Sequence, residues 1–230
     1  NLPGTRASIQ LWDVNNVAAT YNPRDRSVSV IAELEVQGFL MQDLPERFDL
    51  AEQFDRVLGP FTQRPGVKRV TLQERTLPTT IRAAREHYEK VQRLRKLNPQ
   101  SPVAHNYQDV MDRSERFEVA HRNYIVHTLD LVSLGSQLKA LGGGKEAIVT
   151  LAQIEAGNLA DALTSAKITV RRWLSPRDVA ALGRLSFDPE FAPIVQNRPE
   201  KVAGVDPAAI GPMYLEEPKG RNGIVMTDSG

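Results

Sequence analysis

The chain has 230 residues, 41% of them hydrophobic, with 29 basic against 28 acidic side chains and no cysteine. That length and apolar content suffice for one large domain or two small ones, each with a core. The charge balance excludes the overall basic excess of a dedicated nucleic-acid binder, and the missing thiols exclude disulfides, thiolate metal sites and a cysteine nucleophile.

No run approaches the roughly 18–20 apolar residues that span a bilayer, and Asn1-Leu2-Pro3-Gly4 lacks a signal-peptide core. The start without Met and the end at Met226-Thr227-Asp228-Ser229-Gly230 lead us to expect a soluble piece of a longer protein, with any membrane segment outside it.

Ser8 to Trp12 alternates as a strand, with Val17 to Tyr21 continuing it beyond a kink. Turn chemistry at Asn22-Pro23-Arg24-Asp25-Arg26 closes a hairpin. Val28, Val30, Ala32, Leu34 and Val36 then share one face, with Ser29, Glu33, Glu35 and Gln37 on the other, the period of a half-buried strand. Asp43-Leu44-Pro45-Glu46 starts a helix that is expected to stop near Leu58, before Gly59-Pro60, with Phe48, Ala51, Phe54 and Leu58 as its apolar side. Val67 to Thr76 returns as a strand, although its alternation is only partial.

After Leu77-Pro78 a helix is expected over about 79–97, with Ile81, Ala84, Tyr88, Val91 and Leu94 at three-and-four spacing. Asn98-Pro99 stops it, and Ser101-Pro102 starts another to about Ser114. This pair reads as an excursion from the sheet. Phe117 to Thr128 carries apolar groups on both faces, as a central strand does. A short helix over 133–141 stops at Gly142-Gly143-Gly144, a longer one runs over 145–165, and Ile168, Val170 and Trp173 mark the returning strand. A strand–helix–strand unit therefore occurs twice, over about 27–76 and 117–173. Ser175-Pro176-Arg177-Asp178 opens a last helix, and six prolines after Asp188 predict an extended arm.

The hairpin at Tyr21-Asn22-Pro23, the strand over 67–76 with Leu77-Pro78, the strand over 121–131, the triple glycine, and Leu174-Ser175-Pro176-Arg177-Asp178 through Phe187-Asp188-Pro189 carry a family resemblance. Gly211-Pro212-Met213 and the stretch from Glu216-Glu217 to Gly230 add to it. In this order they resemble an uncharacterised actinobacterial family associated with conjugative elements, whose genes lie beside a small membrane protein and a secretion ATPase. The resemblance implies a component of a type IV secretion or conjugation apparatus, similar to the amino-terminal domain of the conjugation ATPase. It implies a place on the cytoplasmic side of the plasma membrane, with that ATPase and small membrane protein as partners. It supplies no catalytic residue.

Gly142-Gly143-Gly144-Lys145-Glu146 invites a phosphate-loop reading. However, Lys139 stands where a Walker A loop needs its first glycine, and Glu146 where it needs Ser or Thr. A helix-terminating linker is the better reading. His121 and His127 share a strand face but sit about 20 Å apart, too far to ligate one metal ion. They and His87 and His105 read as surface or hydrogen-bonded histidines. The acids from Asp43 to Asp55 read as a cap and a wet helix face, and Ser175 with Asp178 as a capping box.

The strongest charge feature is the segment 64–96, with ten basic residues against three acidic. Arg82 with Glu86, Glu86 with Lys90, and Glu89 with Arg93 have helix-pair spacing, so the first reading is an ordinary solvated face or protein-docking patch. In the second, Arg82, Arg85, Arg93 and Lys96 are the candidate contacts for an anionic partner, either nucleic acid or anionic lipid.

These readings combine into an α+β fold: a duplicated βαβ, ferredoxin-like core over residues 1–186, with an N-terminal β-hairpin extension and helices on one face. A helical insertion occupies about 79–114, and residues 187–230 form a proline-rich arm or linker. The expected role is a non-enzymatic scaffold that docks a secretion ATPase, with no metal and no cofactor. The alternatives are a module touching nucleic acid or anionic membrane through the basic segment, and an enzyme of unrecognised class.

Overall fold

A computed structural model describes residues 9–35, 44–78, 82–96, 98–114, 119–198 and 202–211. Its frame is a six-stranded sheet in which every pairing is antiparallel. The strands are β1 (Gln10–Val14), β2 (Val17–Asn22), β3 (Ser27–Glu35), β4 (Val67–Pro78), β5 (Val119–Asp130) and β6 (Thr169–Trp173). The helices are α1 (Leu44–Thr62), α2 (Arg82–Leu94), α3 (Pro102–Ser114), α4 (Gly135–Ala140), α5 (Gly144–Ser165), α6 (Pro176–Phe187) and α7 (Ala192–Gln196).

Two turns start the sheet. Asn15 and Asn16 take φ of 51° and 67°, so what reads as one kinked strand is a tight hairpin pairing β1 with β2. Asparagine tolerates the left-handed region that such two-residue turns demand. The next turn closes as expected, with the Asn22 side chain accepting from the backbone N–H groups of Arg24 and Asp25.

The two strand–helix–strand units interleave. β5 lies between β3 and β4, and β3 lies between β5 and β6. Because each pairing is antiparallel, β3 and β4 run the same way, as do β5 and β6, so each helix crosses over the strand of the other unit. One edge of β3 is shared: β2 pairs with Ser27–Ser29 and β6 with Ala32–Glu35. The two are tied end to end where the Ala18 N–H donates to the Leu174 carbonyl at 2.7 Å.

Helices cover both faces, not one. Val28, Val30, Ala32, Leu34, Ile125 and Leu129 are buried beneath α5 and the second half of α1. On the opposite face Ile31, Tyr124 and Leu174 pack against Val179 and Leu182 of α6. β3 is therefore central rather than half wet, and Ser27 and Glu33 are as buried as their apolar neighbours. Period-two alternation reports where the apolar side chains point but not whether a second layer covers the polar ones.

α1 continues through Pro60 to Thr62, past the expected stop. A proline within two residues of a helix end removes one N–H and leaves most of the ladder intact. Phe54, Val57, Leu58 and Phe61 pack on the sheet, whereas Phe48 is 73% exposed and Ala51 is exposed. The proline-rich tail also departs from an extended arm over its described residues. A turn at Pro189–Phe191, α7 and a turn at Pro207–Ala209 fold back on α6, burying Ala192 and Val205. Arg177 donates to the carbonyls of Ala203 and Val202, and Arg184 to that of Gly211, fastening the segment. The stretch 212–230 lies outside the described residues.

Candidate functional site

The segment that contributes least to this core is the helical hairpin α2–α3. Pro78, the end of β4, stands directly opposite Val119, the start of β5, so residues 79–118 occupy a place where a tight β-turn would suffice. None of the described hairpin residues joins the clusters that pack on the sheet. Its own helices are clasped by a stacked pair, Tyr88 on Tyr107, with ring centroids 4.6 Å apart. A 2.6 Å ion pair from Arg85 to Asp112 adds to the clasp. Ala104 and Met111 are buried. Val103, Tyr107 and Val110, at helical spacing on the neighbouring stripe of α3, are 78%, 50% and 54% exposed.

The four candidate cations divide along this hairpin. Arg82 opens α2, and its side chain lies outside the described residues. Arg85 is engaged with Asp112 across the helix pair. Arg93 and Lys96 are exposed at the far end, joined there by Lys90 and Arg95. Much of the remaining basic segment serves the body of the protein. Arg64 pairs with Glu155, Lys68 with Asp25, and Arg75 donates to the Leu182 carbonyl and the Ser186 hydroxyl. The run of ten cations is thus several separate features, of which the distal end of α2 is one.

The face under α6 holds a charged cluster that the sequence reading misses. Glu33, 1% exposed, sits between Tyr124 on β5 and Arg172 on β6 in the sheet register. Its carboxylate accepts from Arg122 at 2.6 Å, Arg172 at 2.9 Å and Arg171 at 3.4 Å. Burial by itself raises this carboxyl's pKa, but the hydrogen bonds and charges of Arg172 and Arg122 outweigh that and hold it below the ordinary value. The same burial, with the Glu33 charge behind it, pushes the Tyr124 phenol up. Arg172 also reaches Asp178 at 2.8 Å, and Asp178 completes the capping box with Ser175. Strand β6 and the start of α6 are pinned by one continuous chain of charges. Beside it lies a cavity of about 180 Å³, with Leu77, Arg122, Tyr124, Asp178 and Leu185 in its wall.

The histidines also separate. His121 is exposed and meets Glu74 at 2.8 Å, as a surface histidine does. His127 differs from expectation: it is fully buried beneath α1 and α5, edge-on to Phe61, and neither ring nitrogen has a hydrogen-bond partner. Its far end of β5 is the end that the helices cover. Burial lowers its pKa against the pull of Glu155, whose carboxylate is 3.7 Å away, so the ring is neutral near pH 7.

The triple glycine takes φ of 92°, 72° and 70° with open space around each missing side chain, and links α4 to α5. Backbone conformation accounts for all three. Among the described residues no group of three or more His, Asp or Glu gathers to hold a metal ion, and no helix is long and apolar enough to cross a membrane. No family model, curated protein or solved structure matches the chain.

Proposed function

We propose that this chain is a non-enzymatic docking domain of a type IV secretion or conjugation apparatus, on the cytoplasmic side of the plasma membrane, binding a secretion ATPase and a small membrane protein. The apparatus and the partners rest on the family resemblance of the motifs from Tyr21 to Gly230. The interleaved strand order supports reading the core as ferredoxin-like, since each βαβ unit is split by a strand of the other.

The observation that carries the docking role is the inserted hairpin, which adds little to the core yet displays Val103, Tyr107 and Val110 along one face of α3. Such a stripe at positions i, i+4 and i+7 fits a helix or groove on another protein. The flank around Tyr107 and Val110 is assigned to the ATPase.

Co-expression with a secretion ATPase and a small membrane protein of the kind the resemblance implies, followed by capture through a tag, tests the reading. Both partners are expected to co-purify, and Val110→Asp is expected to lower ATPase recovery at least tenfold without moving the thermal midpoint. Recovery of neither partner, or full recovery with Val110→Asp, overturns it.

A further inference from the structure

Charge is segregated along the hairpin. From Lys90 to Gln108 the sequence contains no acidic residue, while Lys90, Arg93, Arg95 and Lys96 fall within that stretch. Of the acids, Glu86, Asp109 and Asp112 lie toward the base, where Arg85 and Asp112 pair, and Glu89 stands beside Lys90 near the middle of α2. At the distal turn, Leu94, the last residue of α2, and Val103, the second of α3, are 73% and 78% exposed.

The turn between them is shaped by its own hydrogen bonds. Lys96 takes φ of 52°, the Asn98 side chain accepts from the Gln100 N–H, and the Ser101 hydroxyl accepts from the Ala104 N–H. Leu94 and Val103 are thus exposed on either side of an ordered turn, with Arg93, Arg95 and Lys96 on its α2 side.

We propose that the tip of the α2–α3 hairpin is a contact site for anionic membrane lipid. Leu94 and Val103 enter the headgroup boundary, and Arg93, Arg95 and Lys96 hold the lipid phosphates and carboxylates. Interfacial segments bind by this combination of buried apolar area and attraction to anionic headgroups. A nucleic acid uses the charges but gives no return on two exposed aliphatic side chains. The hairpin's described tyrosines, Tyr88 and Tyr107, are stacked on each other, which occupies one face of each ring that base stacking would need. The inference shares Val103 with the exposed stripe of α3, but it rests on Leu94 and the cations of the tip, and Leu94→Asp separates it from the ATPase assignment, which Val110→Asp tests.

Vesicle co-sedimentation tests it with the whole chain, comparing phosphatidylcholine with phosphatidylcholine plus phosphatidylserine. Binding is expected only to the mixed vesicles, falling as salt rises. Reversing Arg95→Glu and Lys96→Glu together is expected to weaken it at least twentyfold. Leu94→Asp is expected to weaken it about tenfold while leaving the circular dichroism spectrum unchanged. Because the chain has no cysteine, Val103→Cys gives a single attachment point for a polarity-sensitive fluorophore, whose emission is expected to shift blue on mixed vesicles. Equal binding to neutral vesicles, or none to either kind, overturns the proposal. So does duplex DNA binding that is lost in the Arg95 and Lys96 reversal but untouched by Leu94→Asp, which assigns the tip to nucleic acid.

Discussion

At the scale of single residues, the sheet is organised around a buried carboxylate. Glu33 reads from sequence as an outward-facing residue of an alternating strand, and the alternation itself is correct. What a strand pattern omits is its surroundings: α6 lies over that side, and β6, paired with β3 in the sheet, brings Arg172 against Glu33 from a position remote in sequence. Replacing Glu33 leaves Arg122, Arg171 and Arg172 without their shared acceptor, although each retains contact with water. Glu33→Gln is therefore expected to destabilise the fold by about 3 kcal/mol, the lower end of measured losses for buried pairs. The carboxyl titrates below its ordinary value of 4.5 in the folded state, so its contribution is present above about pH 4.5 and is lost as pH falls through the folded value. Thermal midpoints measured from pH 7 to pH 3 are expected to fall less steeply for Glu33→Gln than for the parent chain.

At the scale of elements, legibility tracks how local the cause is. The start of α6 was readable because its cap is made within four residues: Ser175 accepts from the Asp178 N–H and Asp178 from the Ser175 N–H. Losing that cap in Ser175→Ala is expected to lower stability by about 1 kcal/mol, visible as a reduced urea midpoint at constant slope. The glycine linker was readable for the same reason. The burial of α1 was misread, because an early stop at Leu58 put Phe48 and Ala51 on the apolar side, whereas Phe54, Val57, Leu58 and Phe61 share a face of the longer helix that turns away from Phe48. The sheet covers that face, so Phe61 is buried and Phe48 is not. The hairpin formed by β1 and β2 hid behind an Asn-Asn pair, a weaker turn signal than Asn-Gly.

At the scale of the whole molecule, the sequence shows two βαβ units and an excursion but not their pairing, since strand order depends on contacts between distant segments. The interleaved order explains why the excursion is tolerated. β4 and β5 are long neighbours, paired along nearly their whole length, whose ends meet at Pro78 and Val119, so the helices between them follow a junction that is already closed. The basic segment likewise resolves only at this scale, where its cations divide between fastening the body and lining the distal end of α2.

The central claim is that the core folds without the hairpin and binds through it. Replacing residues 79–118 with Asn-Gly, then measuring folding by near-ultraviolet circular dichroism alongside binding to anionic vesicles and the secretion ATPase, tests it most directly. A cooperatively folded variant that binds neither is the expected result. A variant that fails to fold, or one that folds and still binds both, contradicts it.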